Sequence, residues 1–328
     1  MLLDLLFEKK SRPKGFRKIL ILLVCASAGV MLGFKLKPKQ QPKFNNIIYT
    51  AMPDASYGQL NLLTYNIAGL PALISSAATE RSSSITSIGE RINGFDIVNV
   101  QEDFNYNKFL YSRNKHSYRT TAMGGVPFGD GLSTLSKYPI VDFERVSWTA
   151  CNGADCLTPK GFSYARIQLA KDVFIDVYNV HATAQDDREA TIARQQNMNQ
   201  LKAYIKKYSA NKPLLIMGDF NAHYAYELDN IGSFRQDLGL IDAWVSLRNR
   251  GEIPRYQANF KSKAALDLTE DCEGIDKIYF RNDNHIVFEA KGYQVQKKLF
   301  QNEYGQDLSD HCAVSLQLGW RIIKSAVQ

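Results

Sequence analysis

From about residue 57 onward the chain alternates short apolar stretches with turns. "QLNLLTYNI" (59–67), "FDIVNVQED" (95–103), "GFSYARIQL" (161–169), "VFIDVYNVHA" (173–182), "PLLIMGDFN" (213–221), "GIDKIYF" (274–280), "HIVFEAKGY" (285–293) and "CAVSLQL" (312–318) are rich in β-branched and aromatic residues and predict strands. Two stretches carry helical spacing. Residues 187–208 place Ile192, Leu201, Ile205 and Tyr208 on roughly one face, and Ser84–Arg91 opens in a Ser-rich cap region. Strands dominate, helices intervene, and no composition break divides the stretch, which predicts one α/β domain on two stacked sheets over residues 57–320, with 321–328 as a tail.

The first 56 residues follow a different pattern. A basic segment, 1–18, with Lys9, Lys10, Arg12, Lys14, Arg17 and Lys18, precedes the uncharged apolar run "ILILLVCASAGVMLGF", residues 19–34. As a helix this run spans about 24 Å, against roughly 30 Å of bilayer hydrocarbon; Leu36 and snorkelling Lys35 and Lys37 could stretch it. Ala26-Ser27-Ala28 resembles a signal-peptidase site, so membrane anchoring and secretion both stay open. Either way the following domain is expected outside the cytoplasm. Residues 35–56 are polar, contain Pro and lack periodicity, which marks a linker.

Charge follows this division. The 328-residue chain carries +7, but ten Lys/Arg against three acids in residues 1–56 account for all of it. Residues 57–328 hold thirty charges of each sign, with no broad excess for neutralising nucleic-acid phosphates. Arg113, Lys115 and Arg119 form one local basic cluster. Beyond Cys25, the four cysteines of the domain are even in number, and "CNGADC" encloses a short Gly-containing loop, which predicts a Cys151–Cys156 disulfide.

Candidate chemistry gathers where the strands end. Asn66 follows "LLTY", Glu102 follows "DIVNVQ", His181 follows "DVYNV", and Asp219 and Asn221 close "LLIMG". Asp276 opens "DKIYF", and Asp310 and His311 precede "CAVSL". Buried carboxylates need a partner or a metal, and strand ends can bring side chains to one rim of a sheet. Carboxylates, amides and two imidazoles suit a hard divalent cation such as Mg²⁺ with an acid–base pair. The five His residues lack the spacing of a zinc site.

The ordered set "TYNIAGL", "VQED", "VHAT", "GDFNA", "IDKIYF" and "SDHCAV" resembles the endonuclease/exonuclease/phosphatase superfamily across about residues 58–320. The resemblance implies a four-layer α/β sandwich, two stacked, mainly antiparallel sheets flanked by helices, and Mg²⁺-dependent phosphodiester hydrolysis, with Mn²⁺ as a substitute. It implies Glu102, with Asn66 beside it, as principal metal ligand and Asp310 as a second carboxylate near the metal. Asp219 and Asn221 would orient water and phosphate, Asp219 being sometimes given the role of general base in this family, and His311 would be the general base oriented by Asp276. His181 would contact a phosphoryl oxygen or protonate the leaving group. His223, His116 and His285 fall outside the pattern, and His223, in a loop after the motif, is expected to be solvated or at the substrate's edge. The glycines at 124, 125, 129 and 131 read as a loop, because no helix N-terminus follows closely.

The substrate is less directly written. Lys160-Gly161-Phe162 leading into a strand is similar to a segment of bacterial neutral sphingomyelinases, which implies a lipid-headgroup phosphodiester. Residues 292–309 offer only Phe300 and Tyr304 where those enzymes carry an aromatic membrane-inserting hairpin. A nuclease is the alternative, and a degenerate binding module a third reading, although every expected catalytic residue is present. Membrane contact is expected through the N-terminal segment; no protein partner is inferable, and a monomer is expected.

Overall fold

The computed structural model describes residues 51–323. The expectations for 1–18, 19–34, most of the 35–56 linker and the end of the tail therefore lie outside the described residues. Among the described residues no helix is long and apolar enough to cross a membrane.

Among the described residues twelve strands and five α-helices succeed one another as β1 (Tyr57–Asn66), α1 (Arg81–Arg91), β2 (Ile97–Gln101), α2 (Asn107–Ser112), β3 (Tyr118–Arg119), β4 (Ser133–Ser136), β5 (Ile140–Ser147), β6 (Gly161–Ala170), β7 (Val173–His181), α3 (Arg188–Tyr208), β8 (Leu214–Asp219), α4 (Ile231–Asp237), β9 (Ile241–Asp242), α5 (Ala243–Leu247), β10 (Asp276–Arg281), β11 (Ile286–Val295) and β12 (Val314–Ile322). They form two six-stranded sheets, ordered β11-β12-β1-β2-β4-β3 and β5-β6-β7-β8-β10-β9. All eight strands expected from the sequence are there, together with four shorter or more polar ones.

Each sheet is antiparallel except for one pair near its middle. β1 runs parallel to β2, and β7 parallel to β8. Parallel neighbours end side by side, so Asn66 faces Gln101 and His181 faces Asp219 across their ladders. β1 and β12 pair antiparallel from Tyr57↔Arg321 to Thr64↔Val314.

Alternation along β1 shows how the layers stack. Leu60 and Leu62 enter the large core, while Leu63 and Tyr65 enter a smaller core with Ile85, Ile88 and Leu110 from α1 and α2. β8 is buried throughout, as expected of a strand covered on both faces. Its outer cover includes α3, which contributes Met198, Leu201 and Ile205. The face expected for this helix is partly corrected: Leu201 and Ile205 are buried, but Ile192 and Tyr208 are 44% and 42% exposed. At 100° per residue Ile192 points away from Leu201, and Tyr208 lies in the last turn. Ala190, Arg194, Asn197 and Met198 complete the buried stripe instead.

Amide side chains join the two sheets. Asn99 donates to Tyr178 O (2.9 Å) and Met217 O (3.2 Å), and Asn179 donates back to Val100 O (3.0 Å) and Ser133 O (3.1 Å). Gln101 Nε2 donates to Asn179 Oδ1 at 2.7 Å. Buried polar groups satisfied across an interface restrict how it can slide, so the seam aligns the strand ends of one sheet with those of the other.

The Cys151–Cys156 bridge is present, with a Cα–Cα distance of 5.2 Å, and it closes a short 3₁₀ turn over Gly153–Leu157. Residues 292–309 hold no long hairpin: Phe300 is buried against Tyr65, whereas Tyr304 is exposed on a turn closed by the Gln301–Asp307 bridge.

Candidate active site

The strand-end residues converge on one rim. Asn66 links the two sheets there: its amide donates to Glu102 Oε1 (3.1 Å) and to Asp219 Oδ2 (3.2 Å), while its Oδ1 accepts from the Ala68 N–H (3.1 Å). The amide therefore braces Glu102, and its oxygen is already engaged by the backbone. His181 Nε2 stands 3.7 Å from Asp219 Oδ2 and 4.0 Å from Glu102 Oε1. Asn221 donates its backbone N–H to Asp219 Oδ1 (3.0 Å) and its amide to Ala182 O (3.2 Å), tying together the segments that follow β7 and β8.

β10 lies antiparallel to β8 with Asp276 opposite Asp219. Asp276 Oδ2 meets His311 Nδ1 at 2.9 Å, and His311 Nε2 looks toward Asp219 Oδ2 at 3.9 Å. Asp310 touches Ser309 Oγ at 3.4 Å, and Ser309 in turn donates to Asn66 O at 2.7 Å. All eight residues expected from the sequence thus share the rim.

Crowded carboxylates set the electrostatics. Burial raises the Glu102 carboxyl above its ordinary range; Lys160 opposes this and Asp310 adds to it. Burial likewise pushes Asp219 up to about 7, opposed by His311 and reinforced by Asp276. Burial, then the charges of Lys160 and His311, hold His181 well below the usual imidazole value, so it is neutral. His311 behaves oppositely. Burial alone would lower it, but Asp276, Asp219 and Asp310 raise it to about 10.

All three raised groups have the same sign for stability. A carboxyl whose folded pKa exceeds its unfolded one favours the native state at low pH and loses that advantage as pH rises through the folded value. For Asp219 the loss falls between about pH 4 and pH 7. In EDTA at pH 8, Asp219→Asn is therefore expected to be more stable than the wild type by on the order of 1–3 kcal/mol, with the two converging near pH 4. Melting curves across pH check this; a less stable variant at pH 8 would refute the desolvation argument.

Two donor sets are available to a metal. Asp219, Asp276 and His311 bring three ligand atoms within 4.8 Å of one another. His311 Nδ1 is already hydrogen-bonded to Asp276, however, so this trio reads as an acid–base relay. Glu102 is the better anchor: its carboxylate is braced by Asn66 and partly open to solvent, and among the described residues it has no Lys or Arg ion-paired to it. With Asp310 nearby, an oxygen-rich, anionic rim fits a hard divalent cation.

Lys160 went unassigned in the strand-end pattern. Its ammonium pairs with Asp155 at 2.8 Å, and Asp155 also accepts from the Ala184 N–H at 2.7 Å. Its charge reaches Glu102, His181 and Asp219. Among the other histidines, His116 is buried and meets Phe95 O at 3.1 Å, and His285 is exposed. His223, expected to be solvated or at the substrate's edge, is instead buried, 3.9 Å from Glu273 and packed by the Phe260 ring.

Comparison with known proteins gives the same grouping. The Endonuclease/Exonuclease/phosphatase family profile matches residues 63–311. A sphingomyelinase of Mycobacterium tuberculosis is 36% identical over 265 residues, covering 79% of this chain and 52% of the relative. The chain thus spans about half the length of that curated relative. Beta toxin from Staphylococcus aureus with bound magnesium ions superposes with a TM-score of 0.54 at 17% identity, covering 79% of this chain and 99% of the other. D. rerio TDP2 complexed with a single-strand DNA product superposes at 0.58 with 13% identity, covering 79% and 98%. At these identities the two structures show a shared fold.

Proposed function

This chain belongs to the endonuclease/exonuclease/phosphatase family, and from that premise we propose that it is a Mg²⁺-dependent phosphodiester hydrolase acting on a lipid-type phosphodiester, as a sphingomyelinase does. The observation that carries the reaction class is the His311–Asp276 pair, 2.9 Å apart, on the same rim as Glu102. The lipid preference is supported by the 36% identity to a protein named sphingomyelinase. It is supported also by the state of the basic cluster: Arg113 is paired with Glu90 at 2.9 Å and Arg119 is stacked on Tyr111. A domain held outside the cytoplasm beside a bilayer by residues 19–34 would meet such a substrate at high effective concentration.

Glu102 and Asp310 would hold the cation, with Asn66 fixing Glu102 by its amide. When bound, Mg²⁺ supplies charge neutralisation at the phosphate oxygens. His311 takes the proton from the attacking water, while Asp276 orients its ring and stabilises the imidazolium that forms. Asp219 and Asn221 align water and phosphate, and neutral His181 contacts a phosphoryl or leaving oxygen. With Glu102 and Asp310 neutralised, His311 loses part of the field that otherwise keeps it protonated.

The test is one panel: purified protein with sphingomyelin, phosphatidylinositol or plasmid DNA, each with Mg²⁺, Mn²⁺, Ca²⁺ or EDTA. Hydrolysis of sphingomyelin with Mg²⁺ or Mn²⁺, lost in EDTA, is expected. Ca²⁺ is expected to bind without supporting turnover, because its looser geometry positions water less well. Cleavage of plasmid DNA alone would return the nuclease reading, and full activity in EDTA would overturn the metal chemistry.

A further inference from the structure

Glu102 reaches the site by breaking the side-chain alternation of its own strand. Along β2, Ile97 faces the large core between the sheets, Val98 and Val100 face the smaller core under α1 and α2, and Asn99 and Gln101 contact the second sheet. By the two-residue period of a strand, Glu102 would point under the helices and Asp103 between the sheets. The reverse is found. Glu102 meets Asn66, and Asp103 meets Ser133 of β4 and Tyr111 of α2.

The reversal is made by one residue. Glu102 has φ +59, a left-handed conformation that disfavours a side-chain-bearing residue by roughly 1–2 kcal/mol. Such a conformation persists where its surroundings over-determine it. Here Phe104 N–H closes onto Glu102 O at 2.8 Å, and Asp103 N–H onto Gly131 O at 2.9 Å. Asp103 Oδ2 accepts from Ser133 Oγ at 2.8 Å and from Tyr111 OH at 3.0 Å, and Asn107 donates to Asp103 O at 2.8 Å. Gly131 and Gly69 leave the space: a Cβ on Gly131 would stand 3.0 Å from Glu102 Cα, and one on Gly69 would stand 2.2 Å from Glu102 O.

We infer that Asp103 is a positioning residue whose buried bonds to Ser133 and Tyr111 hold this left-handed turn and so direct the Glu102 carboxylate at the divalent cation. The inference rests on the metal reading given above. Asp103 touches neither substrate nor metal; it acts through Glu102.

Calorimetric titration of Mn²⁺ into the full chain tests it without relying on turnover. Asp103→Ala is expected to weaken Mn²⁺ binding by about 10–100-fold, the range for residues that orient a ligand. Asp103→Asn, which keeps an acceptor for Ser133 and Tyr111, is expected to restore most of it. In a Glu102→Gln background, Asp103→Ala should weaken binding no further, because its target is already gone. If Asp103→Ala does not fold, the Ser133→Ala/Tyr111→Phe pair, which removes the same two donors, replaces it. Wild-type Mn²⁺ affinity in Asp103→Ala or in the Ser133→Ala/Tyr111→Phe pair, or losses that add to that of Glu102→Gln, would overturn the inference alone. A wild type that binds no Mn²⁺ would overturn the metal reading as well.

Discussion

Glu102→Gln is expected to lower turnover by about 10³-fold or more, corresponding to several kcal/mol of charge stabilisation, while the protein stays folded. The substitution keeps the size of the side chain and an oxygen able to accept from Asn66, so packing and the brace survive. What disappears is the anionic donor in a rim where Asp310, Asp219 and Asp276 are the neighbouring carboxylates. Because burial and Asp310 raise the Glu102 carboxyl, removing its charge should leave the metal-free fold at neutral pH no less stable than before. Steady-state hydrolysis and thermal melting, both with and without Mg²⁺, check the two halves together. Near-normal turnover, or a variant that unfolds, would contradict the assignment of Glu102 to the cation rather than to the fold.

His311→Ala is expected to lose about 10²–10⁴-fold in turnover, the usual share of a general base. The sign of the pH dependence follows from the geometry. His311 must be neutral to accept a proton, so the rate rises with pH through its pKa, and carboxylates at Asp276, Asp219 and Asp310 shift that acid limb upward. Asp276→Asn removes the carboxylate hydrogen-bonded to the ring at 2.9 Å; the rate should fall and its acid limb move to lower pH. The double variant should be little worse than His311→Ala alone, because residues acting as one unit are non-additive. Losses that multiply, or an acid limb that moves to higher pH in Asp276→Asn, would separate the two residues.

Much of this was legible in the chain because the signals are local. β1, β2, β7 and β8 are apolar runs ending in polar residues, and those endings converge on the candidate site. β4 escaped that criterion: "STLS" is fully buried but small and polar, and it is tolerated inside because Asn99 and Asn179 bond to it. β5 alternates Val141 and Phe143 with Asp142 and Glu144, a half-buried pattern that a search for apolar runs passes over. Lys160 could have been placed by register. The tight β6–β7 turn pairs Phe162 with Val180, which sets Lys160 beside the residues just past His181. The left-handed turn at Glu102 has no comparable signature: the sequence shows two adjacent acids, and only tertiary bonds decide which one enters the site.

The pairing of β1 with β12 has a practical consequence for handling the protein. Tyr57 lies opposite Arg321, and Ile322 N–H bonds to Ser56 O at 2.7 Å, whereas Asn66 and His311 lie at the other end of the same strands. A ten-residue strand separates the two ends by roughly 30 Å. A tag, bead or surface attached before β1 or after β12 therefore sits on the far side of the sheets and leaves the rim that carries Asn66 and His311 facing outward. The same adjacency makes the domain suited to circular permutation: a short linker can join Ile322 to Ser56, and new ends can be opened at the Lys171–Asp172 turn, at the other end of β7 from His181.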